Sequence, residues 1–140
     1  MAGYSATPLW KKLGYQAGLR ACATDAPASY RELLLLPSDV KVTWLAQPEA
    51  GGQFVHLFAR EAATLRLQLA TLRRSIAPEG VVWVSWPKKA SGVATDITED
   101  KIRQLALPLG FVDIKVCAVD DIWSGLKLMI RKSERGKASR

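Results

Sequence analysis

The chain of 140 residues predicts a three-layer α/β sandwich built on a mostly parallel sheet. Three observations lead there. Short apolar, strand-like runs alternate with segments of helical period, the pattern of βαβ units. One run, Val81-Val82-Trp83-Val84-Ser85-Trp86, is apolar almost throughout, as expected of a strand covered on both faces. The last two runs are joined by a link too short for a crossover helix, so they pair as an antiparallel hairpin.

Thr7 and Pro8 open a short helix, with Thr7 as cap, Pro8 in the first helical position and Gly14 as the stop. Leu9, Trp10 and Leu13 share its apolar face, and Lys11 and Lys12 lie outside it. Gly18 releases a strand over Leu19–Ala23, followed by the turn Thr24-Asp25-Ala26-Pro27. Ala28–Leu36 reads as a helix, with Ser29 as a possible cap and Pro37 as the stop. Val40–Leu45 alternates with strand period, and Gln47–Gly52 is a turn-rich link.

Phe54–Phe58 is the next strand. Arg60–Ile76 is the longest helix, because Ala62, Leu65, Leu69, Leu72 and Ile76 recur at helical spacing. After Val81–Trp86 comes a cationic loop, Pro87-Lys88-Lys89-Ala90-Ser91-Gly92. Asp96 or Thr98 then caps a helix reaching Leu109, and Asp96 with Glu99 has the spacing of a capping box. Gly110 ends that helix. Phe111–Val119 and Leu126–Arg131 form the closing hairpin around Asp120–Gly125.

Composition bounds the function. Hydrophobic content of 49% and a mean hydropathy of +0.02 fit one folded domain, expected over residues 1–132. No apolar run approaches ~18 residues, so no membrane span is expected. Met1-Ala2-Gly3-Tyr4-Ser5 lacks the form of a signal peptide, which points to the cytoplasm. Cys22 and Cys117 sit in apolar runs with no CxxC, and His56 is the single histidine. Both thiols therefore read as buried and structural, His56 as a packed strand residue, and no metal site is expected. The net charge is +7, but Arg131, Lys132, Arg135, Lys137 and Arg140 against Glu134 leave the body about +3. Residues 133–140 read as a basic, flexible tail, so nucleic acid is expected only in non-specific tail contacts.

The order of strands resembles that of class I methyltransferases, whose Rossmann-like fold also closes on an antiparallel strand. The strand into Ala23 would match the first strand of that family. Phe54–Phe58, Val81–Trp86, Phe111–Val119 and Leu126–Arg131 would match the fourth to seventh. One helix-strand-helix unit would be missing between Leu45 and Phe54, and Val40–Leu45 would be free to pair antiparallel with its successor. The resemblance implies a three-layer Rossmann-like sandwich and S-adenosylmethionine as cofactor. The sequence departs from it at the first turn, where Thr24-Asp25-Ala26-Pro27 holds no glycine. Glycine there lets the backbone approach the cofactor. The acidic residue expected after the second strand has only Glu49 as a nearby match. These departures argue against S-adenosylmethionine. No other cofactor and no catalytic residue is indicated.

The blocks Gly3-Tyr4-Ser5-Ala6-Thr7-Pro8-Leu9, Trp83 through Asp96 and Val116 through Lys127 also resemble a small bacterial family of proteins of unknown function. That resemblance implies a stand-alone cytoplasmic domain and supplies no catalytic residues.

Ligands of parallel sheets bind at the carboxyl ends of the strands. The candidate ligand-binding residues are accordingly Thr24, Asp25, Trp86, Lys88, Lys89, Ser91 and Gly92, with Lys11, Lys12, Trp123 and Ser124 as accessories. The ammonium groups beside the Ser91 hydroxyl favour an anion. The expectation is a non-catalytic domain binding an anionic small ligand or a protein partner. The alternatives are a divergent transferase that has lost the glycine-rich loop, and weak nucleic-acid association through the tail.

Overall fold

A computed structural model describes residues 7–136. The elements are α1 (Leu9–Leu13), β1 (Arg20–Thr24), α2 (Tyr30–Leu34), β2 (Thr43–Leu45), β3 (Phe54–Phe58), α3 (Ala62–Ser75), β4 (Val81–Pro87), α4 (Glu99–Ala106), β5 (Phe111–Ala118) and β6 (Trp123–Ile130). They form one six-stranded sheet in the order β2-β1-β3-β4-β6-β5. β2, β1, β3 and β4 are parallel to one another, and β6 joins β4 and β5 antiparallel. This is the three-layer Rossmann-like sandwich expected from the alternation of elements. Among the described residues, no helix is long and apolar enough to cross a membrane. The expected motif residues 3–6 and the tail residues 137–140 lie outside the described residues.

Strand periodicity divides the core in two. Val55 and Leu57 of β3, Val82, Val84 and Trp86 of β4, and Leu126 and Leu128 of β6 face α3 and α4. Phe54 and Phe58 of β3 and Trp83 of β4 face α1 and α2. Trp83 is fully buried and donates its indole N–H to the Leu13 carbonyl at 2.8 Å, fixing the end of α1 on the sheet. His56 lies on the same face inside a chain of buried hydrogen bonds. The Tyr15 hydroxyl meets the Tyr30 hydroxyl at 2.7 Å, Tyr30 meets His56 Nδ1 at 2.7 Å, and His56 Nε2 meets Ser85 Oγ at 2.6 Å. Every polar atom of that chain is thereby satisfied in an apolar layer. His56 is thus a packed core residue, as its position in the strand suggested.

Several expected boundaries move. Pro8 stands outside α1 in extended conformation, and its carbonyl accepts from Lys11 and Lys12 N–H, so the helix starts one residue later than expected. α2 is shorter than Ala28–Leu36. It ends where Leu35 turns left-handed at φ 57, just before a residue whose helical conformation Pro37 disfavours. Ser29 precedes α2 without a side-chain cap. β6 begins at Trp123 rather than Leu126, because Asp120 Oδ1 accepts from the N–H groups of Ile122 and Trp123 and tightens the turn. Cys22 is buried as expected, whereas Cys117 is half-buried near the sheet edge.

The second strand differs most. Only Thr43–Leu45 is extended, and it pairs parallel with β1 (Arg20 to Thr43, Cys22 to Leu45) rather than antiparallel with β3. β3 begins opposite Ala21. The link over residues 46–53 therefore descends little more than one residue of strand while passing from one side of β1 to the other. That is why it needs no crossover helix. Arg20 grips it with two hydrogen bonds to Glu49, at 2.9 and 3.0 Å.

Beyond β6, at the amino ends of the parallel strands, residues 132–134 form a 3₁₀ turn with Glu134 buried. Arg73 of α3 donates to the Leu109 carbonyl at 2.9 Å and to the Glu134 carbonyl at 3.4 Å.

Burial pushes the His56 imidazole down to about 3. The folded state therefore binds fewer protons than the unfolded chain between that value and the free value of about 6.5. Stability is complete above about pH 6.5 and falls as the pH drops, by up to about 1.4 kcal/mol per pH unit. Urea titrations between pH 6.5 and 5 should show this slope in the native chain and lose it in His56→Gln. An unchanged slope in His56→Gln would contradict the assignment.

Candidate functional site

The chain crosses from β2 to β3 on opposite sides of β1, so the carboxyl ends of β1 and β3 diverge. A cleft of about 1070 Å³ opens there. Open parallel sheets place ligands at this kind of switch point. Asp25 follows β1 directly, Phe58 closes β3, and Arg60 and Glu61 lead into α3. Thr64 and Gln68 of α3, residues 94–96 and Trp123 of β6 complete the wall.

The cleft is stitched together locally. The Arg60 carbonyl accepts from Asp96 N–H at 3.2 Å and from Thr95 Oγ1 at 2.7 Å. Asp96 Oδ1 accepts from Ala62 N–H at 2.7 Å, so this carboxylate caps the start of α3. The cap of α4 is Thr98, which accepts from Lys101 N–H at 3.1 Å, and Glu99 pairs with Arg103. The expected capping box of Asp96 and Glu99 is thus split between two helices. Trp123 stands edge-on to Phe58 at 5.1 Å, and Phe58 stacks on His56 at 4.2 Å, so the apolar wall rests on the buried hydrogen-bond chain.

Asp25 holds a left-handed backbone at φ 58, a conformation few non-glycine residues adopt. Asp is among the non-glycine residues that visit it most readily. A bend of the kind glycine usually makes is therefore present after β1 without a glycine. The Asp25 and Glu61 carboxylates make no hydrogen bond or ion pair among the described residues. With Asp96 they set three carboxylates against one guanidinium, Arg60, in the lining. The cleft is acidic.

Of the residues expected from the sequence, Asp25 and Trp123 line this cleft, and Thr24 ends β1 beneath it. Trp86 points to the other face, into the core under α3 and α4. Lys88 donates Nζ to the Asp120 carbonyl at 2.8 Å, and its N–H bonds to the Ile122 carbonyl at 2.7 Å. It ties β4 to the β5–β6 turn. Ser91 spends its hydroxyl on the Lys88 carbonyl and accepts from Val93 N–H, and Lys89 and Gly92 are exposed in the same small turn. Lys88, Lys89, Ser91 and Gly92 are not in the cleft lining. Ser124 is half-buried in β6, and Lys11 and Lys12 lie on α1. Glu61, Thr64 and Gln68 were missed. Their signal is positional, since the first turns of a helix after a parallel strand sit at the carboxyl edge. Among the described residues, no group of three His, Cys, Asp or Glu side chains is placed to hold a metal ion.

A Rossmann-like sheet with its cleft at the end of the first strand, closed by an antiparallel strand, is the fold of class I methyltransferases. Solved structures of that kind match it. A SAM-dependent methyltransferase from Aquifex aeolicus superposes with a TM-score of 0.60 at 12% identity, over 86% of this chain and 86% of that one. Magnesium protoporphyrin IX methyltransferase from Synechocystis PCC 6803 with bound SAM gives 0.57 at 12% identity, over 88% and 74%. LepI in complex with SAM gives 0.56 at 13% identity, and there the chain covers 89% of itself but only 47% of its neighbour, about half that protein's length. No family model matches the chain, and no curated protein sequence matches it.

These neighbours correct the functional expectation. The sequence predicts a non-catalytic domain, and its glycine-free first turn and unmatched acidic residue after the second strand argue against S-adenosylmethionine. The fold is instead shared with proteins described as methyltransferases and with proteins solved with SAM bound. The turn after β1 bends left-handed at Asp25 without a glycine.

If Lys88 serves the turn, Lys88→Met should cost about 1 kcal/mol in urea unfolding through the lost hydrogen bond, and should leave ligand affinity at the cleft unchanged. Loss of ligand binding with unchanged stability would return Lys88 to the site.

Proposed function

We propose that the chain is a methyltransferase-type enzyme whose cleft binds S-adenosylmethionine. The observation that carries this reading is the charge of the lining: Asp25, Glu61 and Asp96 against Arg60, at the carboxyl ends of β1 and β3. The cofactor carries a sulfonium, an ammonium and a carboxylate, so an acidic cleft with one guanidinium fits it in sign. The cleft is also of a size that holds a nucleoside-sized ligand. The fit departs from the family's pattern in one place, since Glu49 after β2 is engaged by Arg20 instead of facing the cleft.

When bound, the cofactor supplies an electrophilic methyl group. The residues around it bind and orient. Arg60 would hold the ligand carboxylate. Asp25 and Glu61 hold the cationic end by charge complementarity. Trp123 and Phe58 offer apolar surface for a ring and exclude water on that side.

Isothermal titration with S-adenosylmethionine should give saturable binding. Asp25→Asn keeps a residue that tolerates the left-handed bend but removes the charge, and should weaken binding about tenfold, or about 1.4 kcal/mol. The demethylated thioether, which lacks the sulfonium charge, should lose less. No binding at millimolar ligand, or equal losses for the two ligands, would contradict the reading.

A further inference from the structure

The cleft runs further along α3 than the charged groups of the cofactor account for. Asp25, Arg60 and Glu61 stand at the strand ends, and Phe58 and Trp123 close the apolar side. Thr64 and Gln68 also line the cleft, further along the helix. α3 joins the parallel strands β3 and β4, so it runs back from their carboxyl ends toward their amino ends. Gln68 lies two turns beyond Glu61, about 10.5 Å along the helix axis and on nearly the same side. Pockets that hold one drug-sized ligand run from roughly 300 to 1,000 Å³. At about 1070 Å³ this cleft has room for a second molecule beside the cofactor.

The two side chains on this strip are uncommitted. A threonine inside a helix can return its hydroxyl to the carbonyl four residues earlier, which for Thr64 is that of Arg60. That carbonyl already accepts from Thr95 Oγ1 at 2.7 Å and from Asp96 N–H at 3.2 Å. A carbonyl oxygen has two lone pairs, so residues 95 and 96 occupy both. The Thr64 hydroxyl makes no hydrogen bond among the described residues, and neither does the amide of the half-buried Gln68. Thr95, the other threonine of the lining, is engaged on both sides, since its Oγ1 also accepts from Ile97 N–H at 3.1 Å. The strip that stays open to a ligand is thus one hydroxyl and one carboxamide.

These groups select by chemistry. Asp25, Glu61 and Asp96 repel an anionic head group, and a cation is drawn to them rather than to Gln68. The Gln68 amide presents an acceptor oxygen beside N–H donors. It pairs in two bonds with an edge that offers a donor beside an acceptor, as glutamine does with adenine. A carboxamide has such an edge. We infer that Thr64 and Gln68 form the subsite of the methyl acceptor, an uncharged molecule that presents a carboxamide-type edge to Gln68. The inference rests on the cofactor reading, which fills the strand-end half of the cleft.

The test is an amide NMR titration of the full chain, first with S-adenosylhomocysteine to saturation, then with benzamide or benzoate. The two probes share a ring and differ in the charge of the head group. Benzamide should bind at millimolar concentration and shift the Gln68 side-chain amide, and benzoate should bind about tenfold more weakly. Gln68→Ala should weaken benzamide about tenfold and Thr64→Val about threefold, both with unchanged affinity for S-adenosylhomocysteine. Alanine is the better helix former, so the Tm of Gln68→Ala should equal or exceed that of the native chain, and lost binding is not lost fold. The inference is overturned, with the cofactor reading intact, if benzamide fails to bind, binds no better than benzoate, or binds Gln68→Ala as it binds the native chain. A loss of S-adenosylhomocysteine affinity in Gln68→Ala overturns it too, by giving the amide to the cofactor. Failure of the native chain to bind S-adenosylhomocysteine overturns the cofactor reading, and this inference with it.

Discussion

The constraint on which the rest depends is the reversal at β1. A strand of three residues, Thr43–Leu45, pairs on one outer side of β1, and the chain returns within residues 46–53 to start β3 on the other. A longer β2 would carry the chain further up the sheet and require a helix to bring it back. The short strand removes that need and keeps the switch point between β1 and β3. The cleft, its acidic lining and the placement of α3 all follow from that crossing. The bidentate bond from Arg20 to Glu49 holds the link on the surface, where a stable pairing adds geometry more than energy.

A second layer of dependence runs inward. Trp123 and Phe58 form the apolar wall of the cleft, Phe58 stacks on His56, and His56 is held by Tyr30 and Ser85. The strand ends that present Asp25 and Arg60 are therefore seated on a fully satisfied buried network rather than on a loose loop. Such a network fixes one arrangement because any broken member leaves a buried polar group without a partner. The cost of that arrangement is seen at low pH, where the neutral His56 is the form the core accepts.

The fold was legible where local pattern and tertiary environment agree. Phe54–Phe58 has the expected bounds because its apolar run is covered on both faces, and the residues of α3 show their period plainly. The short second strand was not legible, since Val40–Leu45 alternates over six residues while only three find a partner. Of the candidate residues, Asp25 and Trp123, which sit next to strand ends, line the cleft. Lys88 lies outside that lining, and its partner is in the β5–β6 turn, 32 residues away in sequence. Of the two caps the sequence offers for the helix that follows, Asp96 or Thr98, Thr98 serves it, whereas Asp96 caps the helix that precedes it. In each case the deciding partner is distant in sequence, and local chemistry alone favours the nearest use of a polar group. The turn after β1 holds no glycine, yet its backbone bends left-handed at Asp25, which residue type alone did not reveal.

The most direct measurement is a two-dimensional amide and indole NMR titration of the full chain with S-adenosylmethionine. Perturbations confined to residues 24–27, 58–64 and 94–96 and the Trp123 indole are the predicted result. Perturbations centred on residues 88–92, or none at millimolar cofactor, would contradict it.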